Sequence, residues 1–228
     1  MEPSGHVARR RVRRIVERLE GAFGEPRARD GGDLVGNLVR TILSQNTSDV
    51  NSDRAYASLR ERFADWGAVE RAPVSTIESA IRSGGLAKTK AARIRRILRS
   101  IRETTGSIDL GFLKDMETPE VLEYLGSFDG VGPKTAACVA LFGLGREVVP
   151  VDTHVHRVVG RTGVVGTPTS PERTFDALEG LAPDGKAFSL HVNLIRLGRR
   201  VCRPRVPDCG GCPIRSLCDV GSGRRSLS

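Results

Sequence analysis

The sequence predicts an all-α fold, and three observations predict it. Apolar residues recur at three- and four-residue spacing almost throughout. Residues that start and stop helices stand at the ends of these runs. Strand alternation is nearly absent: EVVPV at 147–151 is the only candidate, and Pro150 interrupts it. The expected architecture is about ten helices in small connected bundles.

The elements follow in order. Near the N-terminus Val12, Ile15, Leu19 and Phe23 mark one apolar face, so this segment reads as an amphipathic helix; it has no apolar core of the kind a secretory signal needs. DLVGNLVRTILSQ places Leu34, Leu38 and Ile42, with Val35 and Val39, on one face. STIESAI at 75–81 offers Ser75 and Glu78 as a capping box. AKTKAARIRRILRSIRETTG carries Ile94, Ile97, Leu98 and Ile101 opposite a dense basic face and stops at Gly106. TPEVLEYL and SPERTFDALEGL each open with a hydroxyl cap followed by proline. AFSLHVNLIRLGRRVC is an apolar-faced helix running into a cysteine cluster, and the tail GSGRRSLS is expected to be disordered.

At 228 residues the chain holds one large domain or two small ones. Its net charge of +9 comes from 36 Lys and Arg against 27 Asp and Glu, a surplus that favours polyanions, nucleic acid above all. No apolar run is long enough to span a membrane. Five cysteines, an odd number without an export signal, point to a reducing compartment, and a cytoplasmic location on the nucleoid of a prokaryote is expected. Cys138 stands alone and reads as a small core residue. The other four form Cys202-x6-Cys209-x2-Cys212-x5-Cys218. Such clustering argues for metal rather than disulfides. One short pair with long flanking gaps suits a loop wrapped around a [4Fe–4S] cube; zinc is the alternative. Between the first two cysteines, Arg203 and Arg205 stand among stiffening prolines, as phosphate contacts or as a solvated basic loop.

FDGVGPKTAACVALFG, from Phe128 to Gly143, joins a glycine turn to a small-residue helix. In the context PEVLEYLGSFDGVGPKTAACVAL it reads as helix–hairpin–helix. The turn can aim backbone N–H groups at a phosphate, and Gly130 and Gly132 would let a nucleic-acid backbone approach. Lys134 lies where the helix dipole is positive. Partial burial there would lower its pKa and make it a nucleophile; otherwise it is a solvent-facing lysine of the first turn. Asp152 is an N-cap in VDTHVHRV, a carboxylate opposing Lys134 across a cleft, or both.

Three motifs, GVGPKTA at 130–136, VDTHVHRV at 151–158 and the cysteine cluster, resemble the helix–hairpin–helix DNA glycosylases, and endonuclease III most of all. The resemblance runs from about residue 30 to 219. It implies two helical domains: a six-helix domain over 34–146 carrying the hairpin, and a second built from 1–33 and 147–228 with an iron–sulfur loop at 202–218. It implies a nucleophile at Lys134, an essential carboxylate at Asp152 and a [4Fe–4S] cluster on Cys202, Cys209, Cys212 and Cys218. It places an apolar wedge at Leu86, with Lys88 and Lys90 beside it as phosphate contacts. Either Gln45 or Asn46 would probe the opposite strand, and Ser44 and Asp49 are candidates for the pocket. FDGVG departs from the leucine-proline more usual before the first glycine.

The expected activity is removal of oxidised pyrimidines from duplex DNA, followed by β-elimination at the abasic site through a lysine Schiff base. The partner is double-stranded DNA containing damaged bases or abasic sites; no membrane is involved, and a monomer is expected. The alternatives are a monofunctional glycosylase for mismatched thymine or adenine, and a non-catalytic helix–hairpin–helix binding module.

Overall fold

The computed structural model describes residues 5–28, 32–166 and 170–226. Among them every regular element is helical. The chain divides into two compact units, one of Asp30–Leu144 and one of Met1–Arg29 with Gly145–Ser228.

The continuous unit holds α2 (Leu34–Ser44), α3 (Asp49–Arg62), α4 (Trp66–Arg71), α5 (Val74–Ala80), α6 (Ala87–Thr105), α7 (Thr118–Gly126) and α8 (Pro133–Leu144), with 3₁₀ turns at Arg82–Gly84 and Gly111–Lys114. That is one α-helix more than the six the resemblance implies, because Asp65 caps a separate short helix through a bond from the Ala68 N–H at 2.7 Å. Asp33 caps α2 by accepting from the Gly36 N–H at 2.7 Å, and its carboxylate also takes the Trp66 indole N–H.

Two caps differ from expectation. α5 begins at Val74 behind Pro73, whose fixed φ suits a helix entrance, so Ser75 lies inside the helix and caps nothing. α7 is capped by Glu117, which with Glu120 makes the capping box, and Thr118 is already helical.

α2 packs on α3 and α8, α6 on α4 and α5, and α7 on α8. α8 is buried on every side from Thr135 to Leu141, as a helix with apolar residues all round must be, and its small residues admit close neighbours. α6 buries Ile94, Ile97, Leu98 and Ile101. Each such side chain contributes roughly 1.5–3 kcal/mol over an exposed one. Gly106 ends α6 in the left-handed region, at φ 77°.

The second unit holds α1 (Gly5–Phe23), α9 (Thr153–Thr162), α10 (Pro171–Leu178) and α11 (Ala187–Arg200). α1 buries Val12, Ile15 and Leu19, and α11 packs on α1 and α9. Ser170 caps α10 ahead of Pro171 as expected. Lys186 is held by Glu20 at 3.0 Å and Glu25 at 2.5 Å, which ties the start of α11 to the end of α1.

The tail departs from its expected disorder. Ser222 Oγ donates to the Cys218 carbonyl, and the Arg225 N–H donates to the Asp219 carbonyl. The last two residues of that stretch, 227 and 228, lie outside the described residues.

Candidate nucleic-acid interface and cysteine centre

The hairpin between α7 and α8 is fixed by its apolar residues. Phe128 and Val131 are buried, the Val131 N–H donates to the Phe128 carbonyl, and Asp129, Gly130 and Gly132 remain exposed. The Phe128 ring meets Tyr124 edge-on at 5.3 Å, and Tyr124 meets Phe112 at 5.2 Å, bracing the turn from α7.

Gly130 has φ 79°, and a Cβ there would overlap the Arg93 guanidinium. Its positive φ favours glycine, and the flexible Arg93 side chain would have to shift to admit a Cβ. Gly132 does have open space where a Cβ would stand, and its carbonyl accepts from the Thr135 and Ala136 N–H groups at the start of α8. Lys134 follows Pro133 in the first turn of α8 and is exposed. The burial proposed to activate it is therefore absent. Its support comes instead from a rigid helix buried from the next residue onward.

Gln45 is engaged in this structure. Its amide nitrogen donates to Thr135 Oγ1 at 3.1 Å and to the Gly130 carbonyl at 3.4 Å, while its oxygen accepts from Arg93 at 2.9 Å. Asn46 is exposed and has φ 53°. The two candidate probes are thereby separated: Gln45 is bonded to the hairpin and Asn46 is the outward residue. Ser44 is half-buried, its hydroxyl donating to the Thr41 carbonyl, and Asp49 is exposed in the first turn of α3.

Leu86 is the other non-glycine residue with positive φ among the described residues, at 50°, and it is 59% exposed. A left-handed conformation costs a non-glycine residue on the order of 1–2 kcal/mol. An exposed leucine does not recover this by burial. Lys88 is exposed beside it.

Lys90 differs from its sequence reading as a phosphate contact. It is buried, and Nζ donates to the carbonyls of Leu43 at 2.7 Å and Gly84 at 2.8 Å. Burial lowers its pKa, and the charge of Arg93 adds to the effect. Its position could have been read from register: Lys90, Ile94, Ile97 and Ile101 share one face of α6. Arg93 was missed as well, because an arginine on a basic helix carries no sequence sign of a turn packed against it.

In the other unit Asp152 caps α9, accepting from the His154 N–H at 2.9 Å and the Val155 N–H at 2.8 Å. Both bonds use Oδ1, so the cap does not engage Oδ2. Cys202, Cys209, Cys212 and Cys218 line one small open pocket together with Val158, Leu197 and Ile214.

Among the described residues no group of three or more His, Cys, Asp or Glu side chains is placed to hold a single metal ion. The four thiols instead surround a space. Burial pushes Cys212 up to about 11, with the other three thiols adding to it, and burial raises Cys218 also. Donors point at the sulfurs: Arg161 reaches Cys202 Sγ at 3.3 Å, and the Gly221 N–H reaches Cys218 Sγ at 3.4 Å. Four clustered thiols in an apolar pocket with N–H donors fit a thiolate-ligated cluster, whose negative charge those donors would stabilise. Arg161 also donates to the carbonyls of Arg203 at 2.7 Å and Pro204 at 2.5 Å, so the loop carrying the exposed Arg203 and Arg205 is anchored beside this cavity.

Comparison with known proteins agrees with this architecture. Residues 39–183 match the model of the HhH-GPD superfamily base excision DNA repair protein. Endonuclease III of Thermotoga maritima is 33% identical over 208 residues, 91% of this chain and 90% of that relative. Among solved structures, a non-covalent endonuclease III–DNA complex aligns with a TM-score of 0.77 at 26% identity, covering 95% of this chain and 97% of the other. A trapped endonuclease III–DNA covalent intermediate aligns at 0.74, also at 26% identity, covering 95% and 98%. The chain belongs to the HhH-GPD superfamily of base excision DNA repair proteins, and within it is an endonuclease III-like helix–hairpin–helix DNA glycosylase.

Proposed function

We propose that the protein is a bifunctional DNA glycosylase and abasic-site lyase that removes oxidised pyrimidines from duplex DNA. The observation that carries this reading is Lys134. An exposed amine stands at the first turn of a helix buried from Thr135 onward, next to a glycine turn with open space at Gly132. A structural relative captured as a covalent intermediate with DNA supports the covalent route.

In this reading the hairpin grips a phosphate and the damaged nucleotide is extruded. Lys134 Nζ bonds to the sugar C1′ as the glycosidic bond breaks and the base leaves. Asp152 stabilises the positive charge that develops on the sugar. The C1′–O4′ bond of this adduct then breaks, with the proton of the nitrogen passing to O4′, and the Schiff base so formed allows loss of the C2′ proton and departure of the 3′ phosphate, which cuts the strand. Asn46 and Leu86 fill the space the nucleotide vacates. The thiolates of Cys202, Cys209, Cys212 and Cys218 would hold a [4Fe–4S] cluster. Its part would be to order the basic loop at 203–207, so that Arg203 and Arg205 meet the DNA backbone.

A panel of duplexes carrying an oxidised pyrimidine, a mismatched thymine or a mismatched adenine tests this. Strand cleavage at the oxidised pyrimidine without alkali is expected. Base release that needs alkali to cut the strand, or preference for a mismatched normal base, would overturn it.

A further inference from the structure

Asn46 and Leu86 are the non-glycine residues with positive φ among the described residues, and both are exposed. They lie on two different loops, the one after α2 and the one before α6. Lys90 joins those loops from beneath. Its Nζ bonds to the carbonyl of Leu43, at the end of α2 three residues before Asn46, and to the carbonyl of Gly84, two residues before Leu86. Its backbone N–H, in the first turn of α6, donates to the carbonyl of Leu86 itself at 3.0 Å.

Neighbouring packing is consistent with a fixed pair of loops. A Cβ on Gly84 would lie 3.1 Å from Ala55 Cβ of α3, and one on Gly85 would lie 4.0 Å from Thr47 Oγ1. An ammonium donates several hydrogen bonds in different directions, and the carbonyls at a helix C-terminus favour a cation. Burying that ammonium among backbone carbonyls carries a desolvation cost. A lysine placed for phosphate binding would have no reason to bear it.

We propose that Lys90 is a positioning residue that clamps the Asn46 and Leu86 loops to each other, so that both tips enter the duplex as one rigid wedge. The clamp itself stands on the geometry of the unit. Its consequence for extrusion rests on the glycosylase reading.

Two measurements test it, and they fail separately. Hydrogen exchange reads the clamp without DNA. In Lys90→Met, which keeps the apolar stem, amides at 45–47 and 84–86 should exchange together about tenfold faster or more, while those of α1 stay unchanged. Schiff-base trapping reads the consequence, on an abasic site in a duplex and in a single strand. Lys90→Met should lower the duplex-to-single-strand ratio of trapping about tenfold or more, since only the duplex requires a wedge. In a Leu86→Ala background the same substitution should add little, because Lys90 acts through that tip. Should Lys90→Met not fold, Lys90→Gln, a shorter donor, is expected to give an intermediate exchange effect.

Unchanged exchange at both loops, or faster exchange at only one, overturns the clamp. Equal loss of trapping on duplex and single strand overturns the wedge role. If the wild type traps neither substrate, the glycosylase and lyase reading fails, and the exchange result still decides the clamp.

Discussion

Gly130 shows how much one backbone position decides. Its φ of 79° lies in the left-handed region that favours glycine, whereas the Arg93 guanidinium packed where a Cβ would stand is the movable end of a flexible side chain. Gly130→Ala should lower stability by about 1–2 kcal/mol, read by denaturant unfolding, with the greater effect on the hairpin than on distant helices. Gln45 and Asn46 are adjacent in sequence and differ in what they touch. Gln45→Ala should weaken binding to damaged and undamaged duplexes alike, because it loosens the hairpin. Asn46→Ala should leave undamaged binding nearly intact and reduce discrimination among bases opposite the lesion. Competition binding across the four opposite bases checks both. The sequence marked these two residues as a pair and left their order open. A glutamine reaching back to a turn 85 residues away carries no local signal.

At the scale of elements, periodicity and punctuation carried most of the information. The apolar face of α1, the Ser170–Pro171 entrance of α10 and the Gly106 stop of α6 lie where their residues place them. The misplaced caps have a common cause. Ser75 and Thr118 are good caps by type, but Pro73 and Glu117 already occupy the entrance, and the first suitable residue sets the register. Lys90 differs for another reason: its residue type points to solvent, while its register with Ile94, Ile97 and Ile101 points to the interior. The cysteine loop was legible from spacing, but its hydrogen-bond donors were not. Replacing Cys212 with Ala should abolish incorporation of about four irons and four sulfides per chain, read by iron and acid-labile sulfide analysis. The Arg203–Arg205 segment should then become protease-sensitive. Retained iron with an unchanged loop would place the cluster elsewhere.

For the whole molecule, the account joins a net charge of +9, a hairpin with an open glycine, and an amine presented by a buried helix. Charge alone favours a polyanion, the fold and the matched relatives give the family, and the proposed reaction rests on the residue at position 134. The division into two helical units comes with the family resemblance, since length and periodicity alone allow one large domain or two small ones, and the proposed chemistry rests on residue type within a motif, at Lys134, Asp152 and the four cysteines. The most direct measurement is therefore incubation with an abasic-site duplex and borohydride, beside Lys134→Ala. The account predicts a covalent protein–DNA adduct in the wild type and none in the variant, with duplex binding retained by both. No adduct in the wild type, or an equal adduct in Lys134→Ala, would contradict Schiff-base chemistry at this lysine.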